Sequence, residues 1–284
     1  MEGSRWGRSA RLVALVQRLL DHPGRLFSLQ ELGEETGAAK STLSEDMDVV
    51  EEVLEAEGRG RLERLPGAAG GVRYRPHLSP ARMAEALAAL TRLVGDPARI
   101  VPGGFVYLTD LVFSPEWGAV IGSVFATEFA GRGVEAVVTV ETRGIPIGLM
   151  TARALGVPLV TVRRNVRLPE GPTLGVDYVS DTTKRVETMT LPRRALADGT
   201  AVLVIDDFTK GGGTLRGVVS LMAECRANVL GMGVFMETEV PVAKAVEGVF
   251  SLLRLGKVDE EAGTIEVYPS PSVLRLERAE PRGV

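Results

Sequence analysis

The strongest constraint on how this 284-residue chain folds is the stretch VLVIDDFTKGGGT at residues 202–214. Its first four residues are apolar and predict a buried strand, and two carboxylates, Asp206 and Asp207, follow at the carboxyl end of that strand. A glycine-rich turn then leads into a helix that begins near Thr214. In α/β proteins, ligands bind at the carboxyl ends of parallel strands, so the stretch predicts an α/β domain with a ligand site at this turn.

A phosphorylated sugar is the ligand that this stretch fits best. Backbone N–H groups exposed at a glycine-rich turn and at a helix N-terminus bind phosphate. The hydroxyl of Thr214 can add a hydrogen bond, and the adjacent carboxylates can hold a sugar diol or a magnesium ion. The stretch is neither a P-loop nor the G-x-G-x-x-G dinucleotide motif, because its glycines are contiguous and follow two acids.

The residues from Phe105 onward alternate apolar runs with amphipathic segments, a pattern typical of strands alternating with helices in a mostly parallel sheet. The predicted strands cover residues 134–140, 159–162, 201–205 and 229–236, and the predicted helices cover residues 145–155 and 215–225. Ser79 and Pro80 begin a further helix, 81–94, which is rich in alanine and leucine. We interpret this helix as a connector and as a candidate dimer element.

The N-terminal part of the chain predicts a winged helix-turn-helix. Apolar spacing indicates a first helix around residues 12–20, a second helix from the N-cap Ser28 to Gly37, and a third helix over residues 40–56. Short alternating strands, 61–65 and 72–75, flank Pro66-Gly67-Ala68-Ala69-Gly70-Gly71, and a hairpin after a helix-turn-helix is a wing. We therefore expect a DNA-binding domain over residues 1–78 and a ligand-binding domain over residues 79–284.

Net charge does not by itself indicate binding to nucleic acid. The chain carries a formal charge of −4, and its first 80 residues hold 11 lysine and arginine residues against 13 aspartate and glutamate residues. A DNA surface must therefore come from segregated charge. Lys40, Ser41 and Thr42 open the predicted recognition helix. Other cations lie before or on the first helix and on the wing, where we expect them to neutralise DNA phosphates: Arg5, Arg8, Arg11, Arg59, Arg61, Arg64, Arg73 and Arg75.

The same N-terminal residues have an alternative interpretation, a small helical dimerisation module with solvated charges.

Composition argues against disulfide-linked, cysteine-metal and membrane proteins. Cys225 is the only cysteine, so the chain has no intrachain disulfide and no cysteine-rich metal site, and we expect this cysteine to be buried on a helix. The polar N-terminus lacks the apolar stretch of a signal peptide, and no apolar run approaches the roughly 18 residues of a membrane helix. We expect a cytoplasmic protein.

The 202–214 stretch closely resembles the signature of type I phosphoribosyltransferases that binds phosphoribosyl pyrophosphate (PRPP). The resemblance implies that Asp206 and Asp207 contact the ribose 2′ and 3′ hydroxyls and that Phe208 is also an effector-binding residue. It also implies that the 5′-phosphate is held by Lys210, Gly211, Gly212, Gly213 and Thr214.

Two further segments resemble loops of the same family. VVTVETRGIP at residues 137–146 resembles the pyrophosphate loop, which often contains a non-proline cis peptide. By this resemblance Arg143 faces the pyrophosphate, and Glu141, Thr142 and Gly144 complete the loop. The basic pair after Val162 resembles the start of the family's mobile loop, which implies that Arg163 also faces the effector. Two solvated arginines are the alternative.

Two residues depart from the catalytic members of the family. At Lys210 those enzymes often carry Asp, Thr or Ala; a lysine favours a polyanion but offers no general base at neutral pH. Purine-stacking aromatic residues are also hard to find near the C-terminus. The sequence thus predicts that ligand binding is retained and that transfer is lost. Glu141 is the second departure, because a neutral residue is usual at that loop position.

The whole pattern resembles the purine operon repressor family of Gram-positive bacteria. The matching pieces are STLSED at 41–46, PGAAGGV at 66–72, PGGFVYLTD at 102–110 and IDDFTK at 205–210. The resemblance implies a homodimer in which a winged helix is fused to an inactive phosphoribosyltransferase-like domain. It also implies a repressor of purine biosynthesis genes that binds double-stranded operator DNA and is relieved by PRPP, with or without Mg²⁺. Guanosine tetraphosphate is implied as a competitor for the same site.

Two alternatives to a repressor remain open. One is a catalytically active purine phosphoribosyltransferase with an accessory N-terminal domain. The other is an RNA-binding attenuation regulator on the same fold, although the winged-helix pattern favours duplex DNA.

Overall fold

The computed structural model describes residues 6–67, 70–164, 171–179 and 185–278. Three helices and a hairpin form the N-terminal part: α1 (Arg8–Asp21), α2 (Leu29–Thr36), α3 (Lys40–Ala56), β1 (Gly60–Leu65) and β2 (Gly71–Pro76). Ser28 caps α2 by accepting a hydrogen bond from the Glu31 N–H at 3.0 Å, and Gly37 ends this helix with φ 69°. The helix-turn-helix and the wing are therefore present as predicted.

The winged helix has a hydrophobic core of its own. It is built from one face of each helix and from the inner face of the hairpin: Leu15, Leu19, Phe27, Leu32, Leu43, Met47, Val50, Leu54, Leu62, Val72 and Tyr74. Phe27 also forms an isolated antiparallel bridge with Val72 of β2, which ties the segment before α2 to the wing. The apolar spacing of the three helices matches these buried positions, which is why the sequence predicted them well.

The rest of the described chain forms an α/β domain. Its helices are α4 (Pro80–Val94), α5 (Thr109–Val112), α6 (Pro115–Phe129), α7 (Gly144–Leu155), α8 (Gly213–Glu224) and α9 (Pro271–Arg278). Its strands are β3 (Ile100–Val101), β4 (Phe105–Val106), β5 (Ala136–Val140), β6 (Leu159–Val162), β7 (Thr173–Val179), β8 (Val186–Pro192), β9 (Ala201–Thr209), β10 (Asn228–Thr238), β11 (Val249–Asp259) and β12 (Thr264–Pro269).

The central sheet has the order β12-β11-β10-β9-β5-β6. The pairs from β6 to β11 are parallel, and β12 is antiparallel to β11 at the edge. One face packs against α4, α6 and α7 through residues such as Leu87, Phe125 and Ile147, and the other face packs against α8 and the β7–β8 hairpin through residues such as Leu215 and Met189. Because α4 belongs to this core, we propose the domain boundary between residues 78 and 79.

Strand β9 differs from the prediction in one respect that concerns the site. It continues to Thr209, because its last residues pair with β10 through Asp206↔Val234 and Phe208↔Met236. Asp206 and Asp207 therefore lie within the carboxyl end of the strand rather than after it. The elements that were not predicted are β3, β4, α5, α6, the β7–β8 hairpin, β11, β12 and α9. Cys225 is buried at the end of α8, as expected.

The winged helix contacts the α/β domain at the C-terminal end of α7. Gly156, which ends α7 with φ 72°, lies so close to Pro23 that a Cβ atom there would be 2.2 Å from the Pro23 carbonyl oxygen. A Cβ at Gly24, with φ 78°, would lie 2.9 Å from the Leu155 carbonyl oxygen. The two backbones meet without intervening side chains. Across the described part of the chain, the helices are too short or too polar to span a bilayer.

Candidate functional site

The loop after β5 and the end of β9 meet because their strands are neighbours in the sheet. Gly144 begins α7 at this point and is buried. A Cβ atom at Gly144 would lie 2.3 Å from Thr139 Oγ1 and 2.7 Å from Asp206 Oδ1, so only glycine fits there. The loop residues Glu141 and Thr142 are joined by a cis peptide bond, as the resemblance implied.

The two carboxylates of β9 are unusually buried, with only 7% of Asp206 and 6% of Asp207 exposed. The backbone N–H of Asp207 donates to Asp206 Oδ1 at 2.9 Å. Burial raises the pKa of Asp206 well above its usual range, and the neighbouring charge of Asp207 raises it further. Burial also raises the pKa of Asp207, although the guanidinium of Arg143 opposes this shift. The pair is therefore costly to keep ionised without a ligand.

One carboxylate oxygen of this pair is unsatisfied. Asp207 Oδ2 lies 3.0 Å from Arg143 Nε, but among the described residues it receives no aligned hydrogen bond. Thr139 Oγ1, which lies beside Gly144, also has no partner among them. Buried polar atoms normally have hydrogen-bond partners, and an exception is informative. An unsatisfied acceptor and an unsatisfied hydroxyl at the carboxyl ends of two neighbouring parallel strands suit a ligand that brings its own hydroxyl groups.

The buried pair leads to a prediction about stability. Because the pKa of Asp206 is raised in the folded state, the folded protein holds this proton more tightly than the unfolded chain, and stability falls as the pH rises through the folded pKa. Asp206→Asn should therefore stabilise the ligand-free protein by about 1 kcal/mol at pH 8, with a smaller gain near pH 4. Thermal unfolding at both pH values measures this. Asp198→Asn, at a carboxylate that is 71% exposed, is the control. An Asp206→Asn variant less stable than wild type at pH 8 would contradict the assigned shift.

The glycine turn after β9 forms the N-terminus of α8. Gly212 takes φ 85° as the N-cap of this helix, and Gly211, Gly212 and Gly213 are all buried. The N–H groups at a helix N-terminus attract anions. Lys210 is exposed beside the turn, and its carbonyl accepts hydrogen bonds from Lys244 Nζ and, at 3.3 Å, from Thr238 Oγ1.

A second set of contacts holds the two basic residues that follow β6, Arg163 and Arg164, against the loop after β5. Glu141 Oε1 accepts a hydrogen bond from the Arg164 N–H at 2.9 Å, and Glu141 Oε2 lies 3.6 Å from Arg163 Nη1. The guanidinium of Arg164 lies 3.3 Å from Glu187 of β8. Sequence reasoning missed Glu187, Thr238 and Lys244, since they come from distant segments and belong to no motif.

The structure thus brings the expected ligand-binding residues to one edge of the sheet. The loop Glu141–Gly144, the pair Asp206–Asp207 and the turn 210–214 all lie at the carboxyl ends of β5 and β9, and Arg163 joins them through Glu141. Phe208, which was expected among the effector-binding residues, is half-buried and packs against the hydrophobic core instead. Among the described residues, no group of three or more histidine, cysteine or acidic side chains could hold a metal ion.

A second site lies in the winged helix. A cleft of about 620 Å³ separates the start of α2, the start of α3 and the wing, and its lining includes Gln30, Lys40, Ser44 and Arg64. Lys40 and Ser41 are exposed at the first turn of α3, and Thr42 is half-exposed. The first turn of the second helix is where a helix-turn-helix contacts base edges.

The structure corrects the role expected of Arg11 and shows that Arg64 is paired with acids. Arg11 is only 8% exposed and binds Asp46, which is 1% exposed, so it ties α1 to α3 and cannot reach a phosphate. Arg64 pairs with Asp48 and Glu51 of α3 at 2.6 and 2.8 Å. The sequence analysis did not consider these acids, which lie about two and three turns along α3 from Lys40.

The wing arginines are partly neutralised. Arg73 and Arg75 both bind Glu63, and the hydrogen bond from Arg73 lowers the pKa of Glu63 to about 2. Arg8, 63% exposed, lies 3.5 Å from Asp46. Within the described part of the chain, no ion pair is seen for Lys40, Arg59 or Arg61. Arg5, Ala68 and Ala69 lie outside the described residues.

Two family models match the chain. "Bacterial purine repressor, N-terminal" covers residues 7–76 and "Phosphoribosyl transferase domain" covers residues 118–258. The purine biosynthesis transcriptional repressor PurR of Bacillus subtilis strain 168 is 41% identical over 260 residues, 92% of this chain and 91% of that protein. The purine biosynthesis transcriptional activator PurR of Lactococcus lactis strain IL1403 is 38% identical over 260 residues, 92% of this chain and 96% of that protein.

A solved structure has the fold of the α/β domain. Adenine phosphoribosyltransferase from Rhodothermus marinus matches with a TM-score of 0.52 and 25% identity, over 61% of this chain and 99% of that chain. The predicted fold class, a winged helix joined to a phosphoribosyltransferase-like domain with a mostly parallel sheet, is confirmed.

Proposed function

The chain belongs to the bacterial purine repressor family, and from this membership we propose that it is a DNA-binding transcriptional regulator of purine biosynthesis genes that senses PRPP. The observation that carries the effector assignment is the buried Asp206–Asp207 pair beside the N-terminus of α8. The pair suits a ribose diol and the helix N-terminus suits its 5′-phosphate. The pyrophosphate is then assigned to the 141–144 loop, and any Mg²⁺ enters the site bound to the ligand.

We propose that the protein acts as a repressor and that PRPP relieves repression. The relative named a repressor is 41% identical and the relative named an activator is 38% identical, so repression is distinguished from activation by a direct test. A reporter behind a purine promoter, with and without the protein, provides it. Repression that weakens when cellular PRPP rises is expected, and expression that requires the protein would reverse the sign.

Transfer chemistry is proposed to be lost. Lys210 stands exposed at the phosphate turn and supplies positive charge there but no general base. The alternative is an active purine phosphoribosyltransferase. Incubating the protein with PRPP and each purine base, while pyrophosphate release is followed, separates the two. We expect release no faster than in the absence of protein; sustained nucleotide formation would establish the enzyme.

Guanosine tetraphosphate is proposed to compete for the same site, because it also combines a ribose with diphosphate groups. Competition calorimetry tests this: PRPP should displace guanosine tetraphosphate completely, whereas simultaneous binding would place the two at separate sites.

The nucleic acid is proposed to be duplex DNA, bound in the cytoplasm by a homodimer whose two recognition helices meet two half-sites. Sedimentation equilibrium tests the dimer. Binding to a labelled duplex selected by this protein from a random library, compared with single-stranded RNA, tests the nucleic acid. Preference for the RNA would favour the attenuation alternative.

Lys40 provides the sharpest prediction for the DNA interface. It is exposed at the start of α3 and lines the cleft against the wing. Lys40→Ala should weaken binding to all duplexes. It should also reduce the magnitude of the negative slope of log K for DNA binding against log salt concentration by about 1, since about one phosphate contact is lost. Lys257→Ala, which removes the same charge from β11, is the control and should leave the slope unchanged. An unchanged slope for Lys40→Ala would exclude this residue from the interface.

A further inference from the structure

We propose that Glu141 is an internal counter-anion that competes with the effector's pyrophosphate for Arg163, and thereby sets the effector concentration to which the protein responds. The inference rests on the proposed function, since it concerns the same site. It gives a role to a carboxylate that stands where a pyrophosphate loop would be expected to avoid negative charge.

The contacts place this carboxylate among the cations of the site. Glu141 is the first residue after β5, and 21% of its side chain is exposed. One oxygen accepts the Arg164 N–H at 2.9 Å and the other lies 3.6 Å from Arg163 Nη1. The backbone of Arg163 is itself fixed, because its N–H and carbonyl pair with Thr190 of β8 at 2.9 and 2.8 Å. Glu141 therefore faces Arg163 at a defined place.

Arg143, the other cation assigned to the pyrophosphate, is also held by a carboxylate, since its Nε lies 3.0 Å from Asp207 Oδ2. The two pairs differ in what binding does to the acid. Asp207 gains the hydroxyls of the ribose when the ligand enters. Glu141 gains no such partner and stays as a negative charge beside the incoming diphosphate. The effector must therefore overcome both the lost pairing and the repulsion.

The size of the effect of Glu141 on effector affinity depends on how exposed the Glu141–Arg163 pair is. A like charge a few ångströms from a ligand, in a site between water and protein interior, changes affinity by roughly tenfold. Mobile ions screen such an interaction only in part, because it acts over less than the Debye length of about 10 Å at 0.1 M salt. Mg²⁺ bound to the diphosphate screens it as well. The effect should thus be largest at low salt without Mg²⁺ and should apply only to ligands that carry the pyrophosphate.

Glu141→Gln tests the proposal cleanly, since the amide oxygen can still accept the Arg164 N–H while the charge is removed. Calorimetry with PRPP at low salt should show about tenfold tighter binding by the variant, with the gain shrinking as KCl is added. Inorganic pyrophosphate should gain similarly, and ribose 5-phosphate should gain little. The PRPP concentration that releases half of the bound duplex should fall by the same factor.

Asp198→Asn is the matched control. It makes the same change in net charge at an exposed residue before β9, at the opposite end of the strand from the site. This variant should bind PRPP as wild type does, which separates a local effect from a change in overall charge.

Unchanged or weaker PRPP binding by a folded Glu141→Gln variant would overturn the proposal, because it would show that Glu141 only positions the arginines. An equal gain for ribose 5-phosphate would overturn it too, since the repulsion should act only on ligands that carry the pyrophosphate. Failure of both the wild type and the variant to bind PRPP would instead contradict the proposed function, and this inference with it.

Discussion

Replacing Asp206 and Asp207 together by alanine should weaken PRPP binding about a hundredfold and leave duplex DNA binding unchanged. Hydrogen bonds to charged acceptors contribute about 1.5–3 kcal/mol each, which is roughly tenfold or more in affinity for each carboxylate. The recognition helix has a separate core from β9, so the loss should not reach the DNA-binding surface. Calorimetry with PRPP and fluorescence anisotropy with a labelled duplex measure the two functions on the same sample.

A control for this double variant is Asp198→Ala combined with Asp259→Ala, which removes two carboxylates that pair with surface cations outside the site. It should bind PRPP normally. If the Asp206→Ala/Asp207→Ala variant is folded and binds PRPP with unchanged affinity, the effector does not lie at the end of β9.

Gly156→Ala should uncouple the two ligands while each still binds alone. Helix α7 runs from Gly144, in the loop proposed to bind pyrophosphate, to its C-cap Gly156, which touches Pro23 of the winged helix. A displacement of the loop can therefore reach the DNA-binding part through one rigid helix. A methyl group at Gly156 would lie 2.2 Å from the Pro23 carbonyl oxygen and must separate the two backbones. Coupling between ligands is typically 5–150-fold, and in this variant it should fall toward 1.

The control for Gly156→Ala must carry the same backbone strain without the clash. Gly131 has φ 78°, close to the 72° of Gly156, and a Cβ atom there would meet nothing within 4 Å. Gly131→Ala should thus lower the free energy of unfolding by a similar amount, about 1 kcal/mol, and leave the coupling between PRPP and DNA unchanged. Coupling of wild-type size in Gly156→Ala would show that the signal does not pass through this contact.

The sequence predicted best those features that depend on local pattern. Helix α3 runs from Lys40 to Ala56, as the apolar spacing indicated, because one face of it lies in the core of the winged helix. The acids and glycines of 202–214 were placed correctly for the same reason: a buried strand followed by a glycine turn leaves few alternatives. The assignment of individual residues within that stretch to groups of the ligand stays a prediction.

Features that depend on distant partners were not predicted. Arg11 resembled a solvated cation at the start of a helix, but Asp46, which follows it by 35 residues, draws it into the interior. The wing arginines face acids across the hairpin and on α3, so their charge is not available as simple counting suggests. Glu141 was recognised as out of place from the resemblance alone, whereas its pairing with Arg163 required the fold that brings β5 beside β6.

Thermodynamic linkage tests most directly the central claim that PRPP controls DNA binding. PRPP is titrated into the free protein and into the protein saturated with a duplex that it has selected from a random library. If PRPP opposes DNA binding, the duplex must weaken PRPP binding by the same factor by which PRPP weakens duplex binding. We predict equal factors well above 1. Equal PRPP affinities in the two titrations would contradict the account, because a ligand with no differential affinity for the two states cannot regulate DNA binding.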